Sequence, residues 1–487
     1  MHISFGTEGW RGIIAKDFTF ENVRRFARGI ASWLYLPERR ALPIYRDILA
    51  SSGIACADPS AGVAIGYDTR FMSENFASAV AEELASCGIP VLLSSSFATS
   101  PSISMYTRRH RLAAGIMITA SHNSPEYNGI KYKPEYGGSA VPGIIDGIQS
   151  LKKSRKFVIP EGRPNAKVSS FSPDNEFADS VASFVDLERI ANARLKIISD
   201  PIYGSAIGLM GRMLQDAGVY VEEIRNFRNP LFDGNAPVPS VKTIAPLTVK
   251  VLKKSADAGI CFDGDGDIAG IVDSCGSLLQ SHDLFAIILR HLAENRKMTG
   301  DIAASFAVSG LIRKMASFYG LRFHETPVGF RHITDLMLKG DVLIGGEESG
   351  GIGVKGSIPD KNGPLAAALL LEAMAYSGKS VVELKGEIAE KFGSLCLHRT
   401  DMQLPSNEDR DAVIESLQKS LPDSFCGSRI SEVRDLDGIK CILDDDSWIL
   451  FRASGTEPLF RIYAEAPSHE KSYALLNESE AFISRIL

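Results

Sequence analysis

One plan recurs three times along this chain and limits its fold more than any other feature. The apolar run Val63–Tyr67 reads as a strand, Ser73 opens a helical pattern carrying Phe76, Val80 and Leu84, Gly88 closes it, and Val91-Leu92-Leu93 is the next strand. The order returns from Leu195-Lys196-Ile197-Ile198 through Leu209, Met210 and Met213 to Gly218 and Val219-Tyr220-Val221. It returns again from 302–306 through Leu311, Ile312, Met315 and Phe318 to Gly320 and Leu321-Arg322-Phe323. Strand, helix, glycine, strand is a βαβ unit, and three of them about a hundred residues apart predict three related mixed-sheet α/β domains. Isolated βαβ units also occur in many unrelated folds. After the third unit the pattern changes to a helix bearing Val413, Leu417 and Leu421, short strands at 439–442 and 449–451, and a last helix over roughly 470–486, which reads as a smaller antiparallel α+β domain. The expected domains are 1–188, 189–297, 298–396 and 397–487.

With 487 residues the chain exceeds what one ordinary core spans, which agrees with that division. A net charge of −6 gives no electrostatic footprint for a polynucleotide. No stretch of about 18 apolar residues occurs, and the first residues lack a basic region followed by an apolar one, so a cytoplasmic protein without membrane or nucleic-acid partners is expected. Seven cysteines, none in a C-x-x-C pair, argue against a disulfide framework or a zinc site.

Four loops at strand ends, where ligands of α/β sheets gather, hold the reactive side chains. The strand at 114–118 runs into a turn-rich segment that places Ser121 on a loop, with His122 beside it and Lys131 further along. A hydroxyl flanked in this way suits a nucleophile or phosphate carrier, although a bare Ser-His pair by itself is more often part of an ordinary polar turn. The strand at 258–262 ends in Asp263-Gly264-Asp265-Gly266-Asp267. Three alternate carboxylates on a backbone loosened by glycine can converge on one hard divalent cation; the other reading is a solvated acidic turn. An EF-hand would need Gly and Glu where Ile268 and Ser274 stand, and an aspartyl-phosphatase motif would need Thr or Val in place of Asp267. Few protein ligands and room for a phosphate oxygen favour Mg²⁺ over Ca²⁺.

In the third unit, Val342-Leu343-Ile344 leads into Gly345-Gly346-Glu347-Glu348-Ser349-Gly350-Gly351, whose Glu347 and Ser349 offer partners for hydroxyl groups; upstream, Thr326-Pro327-Val328-Gly329-Phe330-Arg331 sets a cation after a turn. In the tail, Arg452-Ala453-Ser454-Gly455-Thr456-Glu457-Pro458 joins two strands, with Arg461 on the second. Hydroxyls, loop N–H groups and arginines suit a phosphate dianion, and also a plain hairpin turn with surface arginines.

Taken together the four loops resemble those of the α-D-phosphohexomutases, the phosphoglucomutase/phosphomannomutase superfamily. The serine loop T-A-S-H-N-P-x-x-Y-N-G-x-K is matched from Thr119 to Lys131 with Ser124 in place of Pro, and the metal loop D-G-D-G-D-R with Ile268 in place of Arg. The sugar loop G-E-x-S-G and the phosphate loop R-x-S-G-T-E-P are matched at Gly346 to Gly350 and at Arg452 to Pro458, and the segments at 5–12 and 66–70 are similar to the family's N-terminal landmarks. The resemblance spans essentially the whole chain. It implies four domains around a central cleft and a phosphoserine at Ser121 that exchanges a phosphoryl group with a hexose 1- or 6-phosphate through a hexose 1,6-bisphosphate, such as glucose 1,6-bisphosphate acting as activator. Mg²⁺ would sit on Ser121, Asp263, Asp265 and Asp267. His122 and Lys131 would move protons and Arg11 would steady the reacting phosphate. Thr326, Gly329, Arg331, Glu347 and Ser349 would bind the sugar, and Arg452, Ser454, Gly455, Thr456 and Arg461 the distal phosphate. Glu348 leans the expectation toward glucose over mannose or glucosamine, since the glucosamine mutases usually have G-E-Q-S-G; a metal-dependent sugar phosphatase and a weakly active hexose-phosphate-binding paralogue are the further alternatives. Arg331 stands where the family usually has Lys, so it supplies charge without giving up a proton. With Ile268 this predicts a working but slow or unusually selective mutase, as a monomer or dimer.

Overall fold

The computed structural model describes residues 9–154, 157–160, 162–403, 409–453 and 459–486. Its first three sheets share one four-strand core. In the first, Val63–Tyr67 runs parallel to Val91–Ser94 on one side and to Ala114–Ile118 on the other, and Tyr127–Pro134 returns antiparallel beside Ala114–Ile118. In the second the same places are taken by Lys196–Asp200, Tyr220–Glu223, Ala258–Phe262 and Ala269–Asp273. In the third they fall to Asp301–Ser305, Phe323–Thr326, Val342–Gly346 and Ile352–Val354. The loop from the third to the fourth strand therefore occupies the same position in every copy, and in the three copies it is the serine loop, the aspartate loop and the Gly-Glu loop.

The first sheet is widened at its edges by Trp10–Ile13 and Val168–Phe171. The fourth sheet is wholly antiparallel, in the order Cys396–Gln403, Leu459–Ala466, Trp448–Ala453, Ile439–Leu443, Ser428–Arg434 and Ser424–Phe425, with the helices Asp409–Ser420 and His469–Ile483 supplying Val413, Leu417 and Leu475 to its core. A single large cluster unites the second and third copies and includes Phe177 and Val181 of helix Asp174–Ala182, which pack with Leu209 and Met213 ahead of the expected seam at 188. The helix Gly363–Ser377 is apolar almost all round because it runs through this shared core, with Glu372 bonded there to His291 and Arg296. Among the described residues no single helix is long and apolar enough to cross a membrane; that helix and Val381–Phe392 pass only as a pair bent by 81°.

Candidate active site

Ser121 sits just past a strand end with φ +52°, a left-handed turn that a non-glycine residue holds only when its neighbours enforce it. The enforcing group is Arg70, fully buried at the end of the adjacent strand. One Nη donates to the carbonyls of Ser121 and Asn123 at 2.6 and 2.5 Å, the other to those of Ser124 and Tyr127 at 2.8 and 3.1 Å, and Nε donates to Asp68 Oδ2 at 3.1 Å. Only a guanidinium has enough donors in a fixed plane to cage four carbonyls and keep a carboxylate partner. Asp68 in turn accepts from Thr119 Oγ1 at 2.6 Å, and Thr119 Oγ1 accepts the N–H of Ser121 at 2.8 Å.

The aspartate loop of the second sheet approaches this serine. Ser121 Oγ donates to Asp263 Oδ2 at 2.8 Å, and the backbone contact is so close that a Cβ on Gly264 would lie 2.5 Å from the Ser121 carbonyl oxygen. Asp263, Asp265 and Asp267 are buried, and their ligand oxygens all lie within 4.8 Å of one another. Lys131 Nζ donates to Asp265 Oδ2 at 2.6 Å and Asp267 Oδ2 at 2.7 Å, Ser100 Oγ donates to Asp265 Oδ2, and Lys361 Nζ stands 3.3 Å from Asp267 Oδ2. Oδ1 of Asp265 is buried and takes no hydrogen bond among the described residues. Burial first, then the charges of Asp267 and Asp265, pushes the Asp263 carboxyl well above the usual carboxylate range. Burial pushes Asp265 the same way, but the Lys131 ammonium and the hydrogen bonds from Lys131 and Ser100 overcome it and hold that carboxyl below the range. A trio of hard oxygen donors with a buried oxygen, Asp265 Oδ1, taking no hydrogen bond among the described residues fits a divalent cation such as Mg²⁺.

A second group of residues gathers at the loop 326–331. Glu347 Oε1 accepts the N–H of Gly329 at 2.9 Å, and Thr326 is buried with its hydroxyl 3.4 Å from the Ala304 carbonyl. Arg331 is partly buried with Asp146, Asp437 and Arg452 as its charged neighbours, and burial lowers its pKa. Arg452 Nε donates to Asp437 Oδ2 at 2.8 Å; burial opposes its charge and Asp437 more than restores it. Arg461 Nε lies 3.9 Å from Asp401 Oδ2. Ser349 and His122 are exposed, and Arg11 Nη1 donates to Asn123 Oδ1 in the serine loop. Ser454, Gly455 and Thr456 lie outside the described residues.

Comparison with known proteins agrees with this arrangement. Models of the phosphoglucomutase/phosphomannomutase family match domain by domain: α/β/α domain I at residues 45–158, domain II at 175–276, domain III at 280–392 and the C-terminal domain at 408–479. The chain belongs to this family. Its members are mutases, isomerases that move a phosphoryl group within a sugar phosphate, and this chain is such an enzyme. A phosphoglucomutase/phosphomannomutase of Thermococcus kodakarensis is 28% identical over 469 residues, covering 96% of this chain and 95% of the relative. A phosphoglucosamine mutase of Limosilactobacillus fermentum is 27% identical over 479 residues, covering 97% and 96%. The crystal structure of a provisionally named phosphomannomutase of Thermus thermophilus is 30% identical with a TM-score of 0.81 and covers 99% of both chains. An N-acetylphosphoglucosamine mutase of Aspergillus fumigatus, solved in complex with GlcNAc-6P and magnesium, shares the fold at a TM-score of 0.56 and 13% identity, over 99% of this chain and 96% of that one.

Within the phosphohexomutase frame the departures find physical explanations. Ser124, in place of Pro, keeps the turn by donating to Glu126 Oε1 at 2.7 Å while Arg70 holds its carbonyl. Ile268 is buried, bridges to Gly351 of the Gly-Glu loop and donates its N–H to Asp263 Oδ1 at 3.1 Å. Glu348 accepts from Ser305 Oγ at Oε2 (2.7 Å) and from Tyr463 OH at Oε1 (3.4 Å), so both carboxylate oxygens are engaged within the fold and the residue gives no reason to prefer glucose. Sequence reasoning assigned no role to Arg70, Lys361 or Ser100. Arg70 stood in a matched landmark, but no local pattern says that an arginine will find four carbonyls across a turn.

Proposed function

We propose that the chain interconverts hexose 1-phosphates and hexose 6-phosphates with Ser121 as the phosphoryl carrier. The observation that carries this is Ser121 Oγ held 2.8 Å from Asp263 Oδ2 at the edge of a buried carboxylate trio. In the forward step the Oγ–P bond of phosphoserine breaks as a sugar hydroxyl oxygen bonds the phosphorus. The hydroxyl proton leaves to His122, exposed beside the serine; the bisphosphorylated sugar then turns over and returns its other phosphoryl group to Ser121. Lys131, donating to two carboxylates, acts as a fixed positive charge, which shifts the expected proton work toward His122. Mg²⁺ on Asp263, Asp265, Asp267 and a Ser121 oxygen would supply counter-charge to the transferring group. Arg11, tied to the serine loop through Asn123, steadies the reacting phosphate. Glu347, Ser349, Thr326, Gly329 and Arg331 face the sugar, and Arg452 and Arg461 with the loop that follows Arg452 take the distal phosphate.

For the sugar, glucosamine phosphate is a second reading beside glucose, because a curated relative bears that name and Glu348 no longer argues for glucose. The test is turnover of glucose, mannose and glucosamine 1-phosphates with and without the matching 1,6-bisphosphate. Chelation should stop turnover and lower the melting temperature, and Mg²⁺ should restore both. Release of inorganic phosphate without isomerisation would replace the mutase by a phosphatase.

A further inference from the structure

Asp437 belongs to none of the four loops, yet it stands where the start of the last one meets the 326–331 segment of the third domain. It lies in the turn between Ser428–Arg434 and Ile439–Leu443, and its Oδ2 accepts two hydrogen bonds of 2.8 Å, one from Arg452 Nε of the fourth sheet and one from the backbone N–H of Val328 in the third domain. The turn is built for this approach. Gly438, at φ +94°, presses so closely on the neighbouring strand that a Cβ there would sit 2.2 Å from the Phe451 carbonyl oxygen and 3.1 Å from Arg452 Cα. The next residue after Val328, Gly329, gives its N–H to Glu347. One loop of the third domain is thus held by adjacent amides, to a carboxylate of the sugar loop on one side and to Asp437 on the other.

We infer that Asp437 is a positioning residue for the distal phosphate: it fixes the plane of the Arg452 guanidinium and ties that plane to the sugar-binding loop, so that sugar and phosphate are gripped in register. The inference rests on the assignment of Arg452 to the phosphate under Proposed function. A carboxylate on Nε orients a guanidinium without occupying its whole fork, which leaves Nη donors for a second anion. The rival role is neutralisation, in which Asp437 only offsets the cations Arg331 and Arg452. The two roles predict opposite signs, because deleting a neutralising carboxylate strengthens anion binding and deleting a positioning one weakens it.

The experiment is steady-state kinetics of Asp437→Ala, Asp437→Asn, Arg452→Ala and the double variant Asp437→Ala/Arg452→Ala on whichever hexose 1-phosphate the wild type turns over, with inorganic phosphate as a competitive inhibitor. Asp437→Ala should raise KM and the phosphate inhibition constant about tenfold, with kcat changed less than about threefold. Asp437→Asn, which keeps an acceptor of the same shape, should recover most of the loss. In the double variant the Asp437 effect should vanish, since it acts through Arg452. An unchanged or lowered KM in Asp437→Ala, or effects that simply add, would overturn the inference. Should Asp437→Ala fail to fold, Asp437→Leu, close in shape and without an acceptor, is judged by the same sign. A wild type that turns over no hexose phosphate would refute the mutase reading itself. A folded Arg452→Ala with unchanged KM would refute the phosphate assignment, an outcome separable from failure at Asp437.

Discussion

The centre between the first two sheets and the seam between the last two are built in opposite ways. At the first, Ser121, Lys131 and the three aspartates are buried and bonded to one another, and Arg70 locks the backbone beneath them. At the second, the side chains reach solvent, with exposure of 25% for Asp437 and 22% for Arg461, and Asp437 joins Arg452 of the fourth sheet to the Val328 N–H of the third domain. A phosphoryl carrier gains from fixed geometry, because its partner atoms are the same in every turnover. A site that must release a sugar, let it turn and grip it again gains from a seam that can open. Changes at the first should therefore remove kcat, and changes at the second should move KM.

The largest expected effect is at the carrier itself. Ser121→Ala should lower kcat by about a thousandfold or more, and intact mass should show one phosphate fewer than in the wild type. A fully active alanine variant would dissolve the contrast between the two regions.

Next in size is a change that touches no reacting group. Gly264→Ala puts a Cβ 2.5 Å from the Ser121 carbonyl oxygen, so the aspartate and serine loops must separate. A displacement of about 1 Å at such a site costs on the order of a hundredfold in rate. The kcat should fall while KM for the sugar phosphate holds, and a variant with wild-type kcat would show that the close contact is incidental.

At the seam, Arg452→Ala should raise KM about tenfold to a hundredfold, the loss of about 1.5–3 kcal/mol from a charge-assisted bond, and leave metal affinity at the aspartates unchanged. A fall in kcat at constant KM would mean that the seam takes part in chemistry.

What the sequence disclosed and what it hid divide along the same line. The repeated core was legible because apolar strands and glycine-closed helices signal through nearest neighbours, and the serine and aspartate loops because their reactive residues are consecutive in the chain. The edge strands Trp10–Ile13 and Val168–Phe171 were not, being four residues each with at most half their side chains turned inward. Arg70, Lys361 and Asp437 escaped for a different reason. Each acts on a partner far away in the chain: Arg70 on the 121–127 carbonyls, Lys361 on Asp267 and Asp437 on Val328. Pairing at that range is decided by the packing of whole sheets, and no spacing rule encodes it.

The smallest effect is expected where the sequence suggested a defect. Ile268 replaces an arginine of the family pattern and Arg331 a lysine, which predicted a slow or selective enzyme that Ile268→Arg with Arg331→Lys would improve. The surroundings of Ile268 argue otherwise. Asp267 already has the ammonium of Lys131 at 2.7 Å and that of Lys361 at 3.3 Å, and the Lys361 stem runs so close to Gly351 that a Cβ there would meet it at 2.2 Å. The charge that the family arginine would bring is thus supplied from the third domain, and Ile268 fills the space beside it, 3.3 Å from where a Cβ on Gly350 would stand. An arginine in this buried position adds a third cation to two and overpacks the contact with the sugar loop, at a cost of about 1–3 kcal/mol. The double variant should melt several degrees lower and change kcat/KM by less than about threefold on glucose, mannose and glucosamine 1-phosphates. A tenfold gain on any one of them would show that Lys361 does not replace the missing arginine, and would assign a part in sugar choice to the metal loop.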